Sequence, residues 1–171
     1  MLKIFKQLKQ PQPAFSLIEI MAVLLIVSLG IVGTANLAVQ SIQAQTINRG
    51  SIVAYQLAQE GIELVRQIRD TNWMQGNDWS DGLASGTYCV DYKSPVLRAV
   101  AGPNDCGLYF DADNWYFAPA VISPGMRFSN FRRAIVIDMA SSSASVKAVV
   151  TWDDRDKVFR YETETELYDW R

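Results

Sequence analysis

The chain has 171 residues, 49% hydrophobic and 20% charged, with a formal net charge of -2, which allows one small globular domain and no basic field for nucleic acid. It contains no histidine and two cysteines. With no G-x-S-x-G and no phosphate-binding glycine loop, and with its carboxylates spread through turns, it offers no constellation for catalysis and implies no cofactor.

The first element is a basic peptide, Met1 to Ala14, carrying Lys3, Lys6 and Lys9. It runs into Phe15-Ser16-Leu17-Ile18-Glu19 and then an apolar stretch to Val39, interrupted by Ser28, Gly30, Gly33, Thr34 and Asn36. Counted from Phe15 this is about 25 residues, enough to span a bilayer as a helix. The lysines precede it and Arg49 is the next positive charge. The positive-inside bias therefore predicts a cytoplasmic N-terminus, a single-pass cytoplasmic-membrane protein and export of everything beyond the helix. An ordinary signal peptide is cut after its apolar core; here Pro11, Pro13 and Ala14 come before it, so a leader can leave while the helix stays. An ionised carboxylate in hydrocarbon costs at least about 2.5 kcal/mol, so Glu19 is expected to be functional and to have a partner.

Ala14-Phe15-Ser16-Leu17-Ile18-Glu19 followed by the apolar helix resembles the leader and cleavage site of type IV pilins and type II secretion pseudopilins. The resemblance implies that a membrane prepilin peptidase cuts between Ala14 and Phe15 and methylates the Phe15 amine. It also implies that Glu19, about one helical turn on, attracts the N-terminal amine of a neighbouring subunit during assembly. Two charges that are each costly in lipid become tolerable when paired, and pairing fixes axial register. The family usually has Gly before the cut where this chain has Ala14, and many major pilins carry a helix-kinking proline, which is absent between Phe15 and Tyr92. Loosening of the helix in a filament is therefore expected around Gly30 to Asn36. Of the 16 Lys and Arg, three lie in the leader, so processing leaves 13 basic against 18 acidic side chains, near -5.

From Ser41 to Asp70 helical spacing places Ala54, Ala58, Ile62 and Val65 on one stripe, with Leu57, Gly61, Leu64 and Ile68 beside it. Gln59, Glu60, Glu63, Arg66, Gln67 and Arg69 are predicted on the opposite, solvated side, with Glu60 near Arg66. This reads as the membrane helix continuing into a half that lies on a globular domain. The run Ala58 to Trp73 and the ending Leu167-Tyr168-Asp169-Trp170 resemble minor-pilin-like proteins related to the pilus V-type subunit and the I-type pseudopilin.

Asn72 to Gly125 is rich in Gly, Asp, Asn, Pro and aromatics, with short strands predicted at Gly86 to Asp91 and Gly107 to Phe110. Cys89 and Cys106, on the exported side, are expected to be bonded. Closing a loop of about 16 residues is worth about 3 kcal/mol in the chain-entropy model. A two-cysteine metal site would lack any histidine and any close C-x-x-C pair. Trp73, Trp79, Tyr109, Trp115, Tyr116 and Phe117 fit either an exposed binding patch or the core, and the core is the expected place for most. Asp111, Asp113 and Asn114 begin like a calcium loop, and Asp153, Asp154 and Asp156 form a second acidic cluster. Neither completes the loop, and turn chemistry accounts for both.

The last third predicts strands at Phe131 to Met139, Ser145 to Trp152 and Lys157 to Leu167, the last two joined at Asp153-Asp154-Arg155-Asp156. Arg160, Glu162, Glu164 and Glu166 alternate with Phe159, Tyr161, Thr163, Thr165 and Leu167, as in an antiparallel sheet covered on one side. The expected fold is α+β and, by the resemblance, pilin-like: leader 1–14, membrane and assembly helix 15–39, and an extracytoplasmic domain 40–171 that includes the amphipathic half of the helix. The expected function is that of a structural filament subunit, a minor pilin. The resemblance implies as partners the prepilin peptidase, other subunits, and an assembly platform and ATPase, and it places the processed subunit in a surface or periplasmic filament. The alternatives are a type II secretion pseudopilin, a filament-tip adhesin or DNA-uptake module, and an anchored domain that forms no polymer.

Overall fold

The structure is a computed structural model that describes residues 15–110, 116–119, 121 and 124–169. The expected leader with Ala14, the Asp111-Asp113-Asn114 stretch, Trp115 and Trp170 lie outside the described residues. The chain forms two compact units, Met1–Gln45 and Thr46–Arg171.

The helix α1 runs from Leu17 to Gln75. Within the second unit its buried residues are Ala54, Leu57, Ala58, Gly61, Ile62, Leu64, Val65, Arg69, Asn72 and Trp73, the stripe that the 3.6-residue period predicts. The helix outlasts the polar composition at Asn72 because its end is built locally. Gly76 takes φ 77, its N–H reaches Trp73 O at 3.2 Å, and Asn77 N reaches Asn72 O at 3.0 Å. This is the paired closure of a Schellman motif. Asn72 Nδ2 donates to Trp79 O at 3.2 Å and to Asp81 O at 2.7 Å, pinning the loop that follows.

Among the described residues seven antiparallel strands form one sheet: β1 Gly86–Asp91, β2 Ser94–Ala99, β3 Gly107–Phe110, β4 Tyr116–Phe117, β5 Arg127–Met139, β6 Ser143–Asp154 and β7 Lys157–Tyr168. β5 is the centre. One edge pairs with β6, which pairs with β7; the other pairs with β3 along its first half and β1 along its second. β2 and β4 extend the sheet beyond β1 and β3. The long strands match the predicted ones within a few residues. β2 and β4 were not expected: Pro95 argues against a strand, yet β2 lies beyond β1, where a missing N–H is tolerated, and β4 is two residues long and shows no alternation.

The covered face carries Phe131, Arg133, Ile135 and Ile137 on β5 opposite Trp152, Val150, Ala148 and Val146 on β6, with Leu167 buried on β7. Phe131, Trp152 and Phe159 stack in a row across the three strands at 5.9 and 5.5 Å, and Tyr116 meets Phe131 edge-on at 5.7 Å. Gly50 lies against this row: a Cβ there would stand 2.5 Å from Trp152 Nε1. On the opposite face β6 and β7 are laced by polar pairs. Ser145 Oγ donates to Glu164 at 2.6 Å and Lys147 Nζ lies 3.3 Å away; the Ser145 bond first, then Lys147, hold that carboxyl below its ordinary range.

Two expectations about the helix are corrected. Arg69 is buried rather than solvated, with its guanidinium bonded to Asp70 and seated 4.6 Å over the Trp73 ring. Arg66 pairs with Glu63, whereas Glu60 turns to Arg133 at 3.0 Å. A helix face judged by charge alone missed the inward reach of these long side chains.

The β6–β7 turn places both central residues at positive φ, Arg155 at 47° and Asp156 at 62°, the type I′ geometry that Asn-Gly fits best. Replacing Arg155-Asp156 with Asn-Gly is expected to raise stability by about 1 kcal/mol. Thermal unfolding of the full chain in detergent checks this, and an unchanged or lower midpoint would show that the native turn bears no strain.

Candidate assembly site

The candidate site is the start of α1. Phe15 and Ser16 precede the helix, and the backbone N–H groups of Glu19 and Ile20 both reach Ser16 O, at 3.0 and 3.2 Å. Glu19 is the acidic residue of the first turn, where a carboxylate faces the positive end of the helix dipole, worth about 0.3–1 kcal/mol. Ser16-Leu17-Ile18-Glu19 also has the S-x-x-E spacing of a capping box. This local reason for a glutamate follows once the helix start is placed at Leu17, and it calls for an acidic group at the place where the resemblance also expects one.

Phe15 is 77% exposed, and Leu17, Ile18, Leu24, Ile26, Leu29, Ile31 and Leu37 are exposed to similar degrees. An 18-residue window in this helix has a mean hydropathy of 2.4 with none of it buried, so it is long and apolar enough to cross a membrane. Its hydroxyls are satisfied within the helix: Ser28 Oγ donates to Leu25 O at 2.8 Å and Thr34 Oγ1 to Ile31 O at 2.9 Å. Such back-bonding suits a helix surrounded by lipid or by other helices. Gly30 and Gly33 are in open space, with nothing within 4 Å of an added Cβ, and the helix runs through Gly30 to Asn36 without interruption.

Cys89 and Cys106 form a disulfide with Cα atoms 5.4 Å apart. It is buried with Ala134 and Val100 on the sheet face away from the main core and ties β1 to the start of β3. Trp73 and Trp79 are buried in the main core, and Tyr116 is half-buried against it. These three therefore serve packing rather than an exposed patch. Asp153 is engaged by Arg132 at 2.9 Å, while Asp154 precedes the hairpin turn and Asp156 is its second central residue. Among the described residues no three His, Cys, Asp or Glu groups converge as a metal site would need.

Arg133 escaped notice as an individual residue, although a signal was present: it stands in phase with Phe131, Ile135 and Ile137, the inward positions of β5. No protein-family model matches the chain, no curated protein matches it, and no solved structure matches it.

Proposed function

We propose that the chain is a processed filament subunit of the type IV pilus class, a minor pilin, stored in the membrane by its N-terminal helix and assembled through it. The observation that carries this reading is an apolar helix surface that the chain leaves uncovered, with one carboxylate in its first turn directly after Phe15. In lipid such a surface is already solvated. In water each exposed Leu or Ile left uncovered forfeits about 1.5–3 kcal/mol, so a subunit leaving the bilayer must pass straight into contact with other helices. Glu19 gives that transfer a direction, because it pairs with the Phe15 amine of a neighbour and a repeated head-to-tail contact forms an open helical polymer. The disulfide suits the exported side. A membrane peptidase exposes and methylates the amine, and an assembly platform and ATPase supply the work.

Mass spectrometry of the mature N-terminus from the membrane fraction tests the processing step. The expected species begins at Phe15 with a methylated amine. A chain that still starts at Met1, or one cut beyond residue 39, would overturn the reading.

A further inference from the structure

Arg133 is 1% exposed at the middle of the covered face of β5. Its guanidinium ties three elements together. Nη1 donates to Leu57 O on α1 at 3.1 Å, Nη2 donates to Val90 O on β1 at 3.0 Å, and Glu60 Oε1 lies 3.0 Å from Nη1. Room for it comes from Gly61, where a Cβ would stand 3.1 Å from Arg133 Cδ and 2.7 Å from Ile135 Cδ1.

Stability alone is a weak reason for this arrangement, because a buried ion pair is often no better than an apolar side chain of similar size. Register is a stronger one. From Ala54 to Val65 the helix stripe around Gly61 is aliphatic and repetitive, with Ala54 and Ala58 one turn apart and Leu57 and Leu64 two turns apart. Apolar contacts of this kind are non-directional. The bond from the guanidinium to the Leu57 carbonyl is directional. A slide of one turn would also bring Leu57 or Val65 to the place of Gly61, directly over Arg133, and close packing leaves no space for either.

We propose that Arg133 seated in the Gly61 notch is a register lock that carries axial load between α1 and the sheet. Its use during extraction from the membrane rests on the filament reading; the lock itself does not. Full-length protein in detergent micelles, pulled between the start of the helix and the C-terminus in a single-molecule instrument, tests it. Arg133→Met made together with Glu60→Leu, so that the pair is replaced whole and no carboxylate loses its partner, should keep the zero-load thermal midpoint while the helix leaves the sheet about tenfold faster at constant force, and Glu60→Gln should show a smaller increase in the same direction. Detachment within about twofold of wild type in a folded double variant, or a midpoint that falls in step with the detachment rate, would overturn the lock. Should the double variant fail to fold, Glu60→Gln decides alone: faster detachment at an unchanged midpoint supports the lock, and an unchanged rate overturns it. None of these readouts needs a filament, so they separate failure of the lock from failure of the assembly reading.

Discussion

Replacing Gly61 with leucine is expected to destabilise the domain by about 3–5 kcal/mol, combining overpacking with disruption of a buried charge. The added side chain enters a space closed by Arg133 and Ile135, at 3.1 and 2.7 Å from the position of its own Cβ. Both neighbours are essentially fully buried, so neither can move aside into solvent. Displacing Arg133 also breaks its bonds to Leu57 O and Val90 O and leaves a buried guanidinium with fewer acceptors. Gly30→Leu is the control, because nothing lies within 4 Å there and the helix-propensity change alone favours leucine by under about 1 kcal/mol. Thermal unfolding of the full chain in detergent separates the two. Equal midpoints would mean that the helix does not sit on the sheet at Gly61.

Loss of the disulfide should have the next largest effect. Changing Cys89 and Cys106 together to alanine frees a loop that contains β2 and the turn at Pro103–Asp105, at an expected cost of about 3 kcal/mol from chain entropy. Both sulfurs are buried against Ala134, so the alanines also leave unfilled volume. The midpoint should fall by about 10 °C for a domain of this size. A fall of less than about 2 °C would mean that the β1–β3 edge is held by β5 pairing alone.

The parts of the fold that were legible in the sequence are those with a strong period. The stripe from Ala54 to Val65 and the alternation of β7 each follow from geometry that repeats along the chain, and the cysteine pair followed from compartment and spacing. Arg133, Arg69 and Glu60 were missed because charge outweighed position: Arg133 stands in phase with the inward residues of β5 but its partners Leu57 O, Val90 O and Glu60 lie far away in sequence, whereas Arg69 turns inward onto its near neighbours Asp70 and Trp73. β2 and β4 escaped for a different reason: one carries a proline and the other is too short for any period to show. At the candidate site, the order of Ala14, Phe15 and Glu19 was legible as a pattern, whereas the place of Glu19 in the first turn, facing the helix dipole, emerged only when the helix start was placed at Leu17.

The capping-box spacing at Ser16 and Glu19 also selects the decisive variant. Glutamine at the third helical position keeps the capping-box spacing and removes the charge, so Glu19→Gln separates helix initiation from pairing with a neighbour's amine. The measurement is the ratio of this variant to wild type in sheared filaments, with the processed chain in the membrane as reference. A variant that is cleaved at Phe15 and present in the membrane but at least about tenfold depleted in filaments is the predicted result. Incorporation at the wild-type level would contradict assembly through Glu19.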